Sequence, residues 1–161
     1  MSILSITHQE LTGSEKELLS IAQETMYHAY NIYSGFFVGA AVLTSDGEVF
    51  SGACMENASY GLTSCAEVGA IQSAFSQGYR NITTIAIIGG KDPHGEGEVV
   101  SPCGRCRQLI FEASQVAGEN IVVILSDPSF KKIVRTTIND LLPIPFGPLD
   151  LGLEDRLKSL K

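Results

Sequence analysis

ITTIAIIG, residues 82–89, is a run in which β-branched or apolar side chains fill consecutive rather than alternate positions. A strand with one wet face alternates polar and apolar residues, whereas an unbroken run expects cover on both faces. The stretch therefore predicts a central strand with helices above and below it. IVVILS at 121–126 has the same character and predicts a second buried strand. Upstream, VGAAVLTS (38–45) and EVFSGAC (48–54) flank Asp46-Gly47, a strong hairpin turn, so these two strands are expected to be antiparallel. KKIVRTTI (131–138) reads as a shorter edge strand.

Helical spacing fills the intervals. Residues 14–29 carry Leu18, Ile21, Ala22, Thr25 and Ala29 on one face, with Ser14 and Glu17 as a capping box. A second helix is expected from Ser64 to Gln77, with Val68, Ile71, Ala74 and Phe75 inward. A third starts at Ser101-Pro102, Ser101 as cap and Pro102 in the first helical position, and stops at Ala117-Gly118. Asn139 to Leu142 reads as one helical turn ended by Pro143, and the tail 149–161 as an amphipathic segment beyond PIPFGP. This order predicts an α/β fold: a three-layer α/β/α sandwich with a mixed five-stranded sheet. It reads as a single domain over 1–161, with 149–161 a C-terminal extension.

With 161 residues, 44% of them hydrophobic, the chain is long enough for one continuous core. A net charge of −7 excludes a nucleic-acid surface, which needs clustered Lys and Arg; Lys131-Lys132 is too short a basic run. No window reaches the roughly 18 apolar residues of a membrane span, and the first residues lack a secretory pattern. The expected compartment is the cytoplasm, where four cysteines stay reduced and serve as ligands, catalysts or core fillers. The polar loop 89–98, GGKDPHGEGE, is long for a compact domain, but GGKD lacks the hydroxyl residue of a phosphate cradle. His8, His28 and His94 have no ligand-like spacing.

The chemistry concentrates in SCAE (64–67) and PCGRC (102–106). Two plain readings exist: Ser64 and Glu67 fit a capping box, and Cys103/Cys106 fit a redox pair or half of a structural zinc site. Both segments open predicted helices, however, and free N–H groups at a helix start favour thiolates. Cys65, Cys103 and Cys106 together offer three sulfurs to one zinc ion and leave its fourth position to water. Glu67, two residues after Cys65, can then accept that water's proton. A closed site of four thiolates, completed by Cys54, is the alternative.

CAE (65–67) with PCGRC resembles the zinc cytidine deaminases of the small three-cysteine class. The resemblance runs over about residues 15–146 and includes FFVGAAV (36–42), ENASYG (56–61), SPCGRCRQ (101–108) and LLPIPF (141–146). It implies hydrolytic deamination of cytidine and 2′-deoxycytidine, a step of pyrimidine salvage. Cys65, Cys103 and Cys106 would bind Zn2+ and Glu67 would shuttle protons. Glu56 would bind a ribose hydroxyl, the Ala66 backbone would meet the pyrimidine edge, and Phe36 would line the base pocket. It further implies a homotetramer in which Phe146 reaches a neighbour's pocket and Tyr60 crosses an interface. Two positions depart from the family: Cys54 stands where relatives carry Asn, and Val68 where they carry Arg, so that Arg107 is left to tune the charge of the thiolates. Blasticidin S deaminases similarly lack that Arg, which makes deamination of modified cytosine nucleosides the alternative. A zinc-stabilised binding protein without catalysis is the reading from another class.

Overall fold

The computed structural model describes residues 4–160, and the chain order is β1 (Leu4–Ile6), α1 (Gly13–Met26), β2 (Phe37–Thr44), β3 (Val49–Ala53), α2 (Ala66–Ser76), β4 (Ile82–Gly90), α3 (Gly104–Ala117), β5 (Val122–Ser126), β6 (Ile133–Thr137), α4 (Ile138–Leu141) and α5 (Glu154–Lys158). Residues 1–3 and 161, the ends of the expected domain 1–161 and of its extension, lie outside the described residues. The strands form one mixed sheet in the order β1-β6-β5-β4-β2-β3. β4 pairs parallel with β5 and antiparallel with β2, as a strand covered on both faces should.

The alternation along β4 sets the layers. Ile85 and Ile87 join Ala40, Val42, Ile71 and Ile110 in one core, while Ala86 and Ile88 join Leu18, Leu19, Ala22 and Met26 in the other. α1 therefore covers one face, and α2 and α3 the other. Each fully buried Ile or Leu stabilises the sandwich by about 1.5–3 kcal/mol relative to exposure.

Several expectations need correction. The sheet has six strands, not five: Leu4–Ile6 pairs antiparallel with β6, so β6 is not an edge. Three residues are too few to show a period, and β1 is held by backbone pairing that leaves no mark in the side-chain pattern. The N-cap of α1 is Thr12, not Ser14; Thr12 Oγ1 accepts from Glu15 N (3.2 Å) and Glu15 Oε2 accepts from Thr12 N (2.9 Å). Glu15 wins over Glu17 because its other oxygen also receives Arg135 Nε at 2.9 Å. α2 and α3 begin one residue inside Cys65 and Cys103, and neither cysteine makes a capping hydrogen bond. Ser101 is thus not the cap of α3; its hydroxyl accepts from Arg107 Nη2 at 2.9 Å.

Two glycines let the helices rest directly on the hairpin backbone. A Cβ on Gly39 would lie 2.2 Å from the Ala22 carbonyl oxygen, and one on Gly52 would lie 2.4 Å from Ala70 N and 2.6 Å from Ala66 O. Contact with Gly52 fixes the first turn of α2 over the end of β3. The registers Phe37↔Gly90 and Gly39↔Ala53 bring the start of β2, the end of β3 and the end of β4 to the same end of the sheet. The tail folds back on the helical layer: Gly147 sits under Phe111, and Leu160 lines a cavity of about 470 Å³ with Tyr79 and Val116.

Candidate active site

The sheet end just described carries the starts of both α2 and α3. Ser64 is clamped to Met55 by two backbone hydrogen bonds of 2.9 Å, so Cys65 enters α2 from a fixed strap. Cys103 opens α3, and Cys106 lies one turn along it. The sulfurs of Cys65, Cys103 and Cys106 lie within 4.8 Å of one another, and Cys103 Sγ is 3.6 Å from Cys106 Sγ. Sulfurs about 2.3 Å from a tetrahedral zinc stand about 3.8 Å apart, so the cluster fits that ion. Cys106 is buried, Cys65 half-buried and Cys103 exposed, which leaves the cluster open on one side.

Charge makes the same case. Hydrogen bonding from the Cys106 thiol, against burial and the Glu67 carboxyl, lowers Cys65 to about 6. The same contact, with burial, pushes Cys106 upward. Three thiols so close ionise together only around a cation.

Glu67 is 4% exposed in the first turn of α2. Burial pushes its carboxyl up, against the opposing effect of its own backbone N–H and the Cys106 thiol. It faces the cluster rather than capping Ser64. A carboxyl with a raised pKa beside a metal site can take and return a proton near neutral pH. Cys54, half-buried beyond the end of β3, lies outside the three-sulfur set. Burial, then the charges of Cys65, Glu56 and Glu67, push its thiol up to about 11, so it stays protonated. Closure by a fourth thiolate is not what these positions offer.

The remaining expected contacts are spread around this centre. Ala66 is fully buried as the first residue of α2. Glu56 Oε2 accepts from Tyr33 N (2.8 Å) and Ser34 N (3.2 Å). Its carboxyl is held below the usual range by the Ser34 side chain above all, against burial, with these backbone bonds adding to the effect. The turn it anchors leads to Phe36, which lines a cavity of about 440 Å³ with Val99 and Val100. Arg107 donates to Pro102 O (2.9 Å), Leu141 O (3.1 Å) and Ser101 Oγ. Tyr60 and Phe146 are 79% and 62% exposed, and Gln108 Nε2 holds the Phe146 carbonyl at 2.8 Å. In the 89–98 loop, His94 stacks on Tyr27, and Glu96 and Glu98 pair with Lys131 and Lys132. Sequence reasoning missed Arg105, whose Nη1 donates to Thr63 O at 3.3 Å; its place between Cys103 and Cys106 was the available signal.

Comparison with known proteins agrees with this geometry. The family model described as "Cytidine and deoxycytidylate deaminase zinc-binding region" matches residues 12–123. The cytidine deaminase of Halalkalibacterium halodurans is 39% identical over 136 residues, covering 84% of this chain and 96% of that protein. A blasticidin-S deaminase of Bacillus cereus is 35% identical over 153 residues, 91% of this chain and 98% of that one. The crystal structure of cytidine deaminase from Burkholderia pseudomallei superimposes with a TM-score of 0.71 at 38% identity, covering 88% of this chain and all of that one.

Proposed function

The chain belongs to the cytidine and deoxycytidylate deaminase family, and from that premise we propose that it hydrolyses cytidine and 2′-deoxycytidine to uridine and 2′-deoxyuridine, releasing ammonia. The observation that carries this is a buried carboxyl, Glu67, in the first turn of the helix that Cys65 opens, beside an open cluster of three sulfurs. Cys65, Cys103 and Cys106 would hold zinc, which would supply an acidified water. Glu67 removes a proton from that water as its oxygen attacks C4, and delivers the proton to N3 of the ring. It then takes the proton of the new C4 hydroxyl and passes it to the amine, so that the C4=O bond forms, the C4–N4 bond breaks and ammonia leaves.

The Ala66 backbone meets the pyrimidine edge, Phe36 lines the base pocket, and Glu56, already anchored by Tyr33 and Ser34, receives a ribose hydroxyl. Cys54, a neutral thiol, is a weak partner for the sugar. Arg107 offsets the thiolates through the backbone it braces. The whole of 1–161 acts as one catalytic domain, with 149–161 an extension. We further propose a homotetramer in which Phe146 and Tyr60 complete a neighbour's site. Among the described residues no helix is long and apolar enough to cross a membrane; a reducing compartment, the cytoplasm, keeps the three ligands available for zinc.

Ammonia release from cytidine and 2′-deoxycytidine, measured with zinc content on the same sample, tests the reading. Glu67→Gln is expected to retain zinc and lose about a hundred- to ten-thousand-fold in kcat; undiminished turnover in the zinc-loaded variant refutes the role of Glu67. Val68, buried at 4% exposure where no cation stands, and Cys54 favour a second reading, deamination of modified cytosine nucleosides such as blasticidin S. Turnover of blasticidin S without turnover of cytidine selects that reading.

A further inference from the structure

The two arginines flanking Cys106 point in different directions. Arg107 spends its guanidinium on the Pro102 and Leu141 carbonyls and the Ser101 hydroxyl, bracing the approach to Cys103 against the end of α4. Arg105 turns the opposite way and reaches across 42 residues of sequence to the Thr63 carbonyl at 3.3 Å. Thr63 is itself part of the strap that leads into Cys65, and its hydroxyl accepts from Asn57 N at 3.3 Å. The single bond from Arg105 therefore links the turn bearing Cys103 and Cys106 to the strap bearing Cys65. Val68, one helical turn on from Cys65, is apolar and buried and brings no charge here.

We propose that Arg105 is a positioning residue of the metal centre, clasping the starts of α2 and α3 together through the Thr63 carbonyl with its positive charge beside the sulfurs. The inference rests on the zinc-site reading above and names a residue outside the ligand set. The three sulfurs come from two segments separated along the chain by α2, β4 and the 91–103 connection. Any opening between the two helix starts lengthens the Cys65 contact first. A guanidinium suits the task because it stays charged and donates in a fixed fork, whereas an ammonium keeps the charge and loses the fork.

The test is zinc release from the intact zinc-loaded protein into excess chelating dye, for the parent, Arg105→Gln and Arg105→Lys. Loss of a group that supports metal ligands weakens retention by about tenfold or more. Arg105→Gln should thus release zinc about tenfold faster than the parent, with Arg105→Lys between them. Thermal unfolding of the zinc-free proteins should coincide, because the Arg105 side chain is exposed. Equal release rates for Arg105→Gln and the parent overturn the proposal, as does a matching loss of zinc-free stability, which would make the role a general structural one. A parent that never holds zinc sinks the deaminase reading instead.

Discussion

Two buried glutamates, Glu15 and Glu67, show how neighbours decide what a carboxyl does. For Glu15, burial pushes the pKa up, but the Thr12 backbone N–H and the Arg135 guanidinium outweigh it and hold the carboxyl below its usual range. For Glu67 burial wins, because only its own N–H and a thiol oppose it. The first is a structural anion and the second, in the proposed reaction, a proton carrier. For Glu15 the depressed pKa means that the unfolded chain binds the proton more readily, so its contribution is present above the unfolded pKa and lost as pH falls through the folded one. Glu15→Gln should lower stability at pH 7 by about 1 kcal/mol, the pair being partly solvated. It should also flatten the acid limb below about pH 4.5. Urea melts of parent and variant between pH 7 and pH 3 check this; parallel acid limbs would refute it. Both acids look alike in sequence, since each belongs to a hydroxyl-x-x-Glu pattern. Spacing alone picked Ser14 with Glu17, and only the reach to Arg135, 120 residues away, selects Thr12 with Glu15.

Between elements, the placement of α2 decides whether Cys65 and Glu67 meet the second cysteine pair at all. Gly52 sets that placement, because its missing side chain admits the Ala66–Ala70 backbone, and a Cβ on the facing Gly69 would in turn lie 3.3 Å from Gly52 Cα. Gly52→Ala must shift backbone rather than a flexible side chain, which costs about 1–3 kcal/mol. It should also lower the zinc stoichiometry of the purified protein. Gly13→Ala, with nothing within 4 Å and an ordinary helical position, is the comparison and should match or slightly exceed the parent. A Gly52→Ala variant that melts with the parent and keeps its zinc would contradict this account. The long strands and helices were legible because ITTIAIIG and the helical spacings carry a period. β1 was not, because its three residues are recruited by the open side of β6, and neither were the cysteine caps, whose sulfurs are turned toward one another instead of toward their own helices.

Across the whole molecule, large apolar side chains remain uncovered on and around the site: Ile32 67%, Tyr60 79%, Leu62 67%, Ile144 94% and Phe146 62% exposed. Isolated exposed apolar residues are ordinary, but a concentration of them marks a surface that meets another surface. Their names could be read from the sequence, whereas their exposure could not, since Phe36 and Phe146 differ in surroundings rather than in type. A second copy is the occupant that the proposed tetramer supplies, and it explains why Phe146 has its carbonyl fixed by Gln108 while its ring points outward. Sedimentation should then give a species of four chain masses. Phe146→Ala, leaving zinc content unchanged, should raise KM for cytidine by about three- to tenfold, the worth of one aromatic contact. If the aromatic instead serves only its own chain, KM will be the same at dilutions where the assembly dissociates. An active monomer with an unaltered KM therefore rejects the shared site, even with the sulfur cluster and Glu67 acting as described.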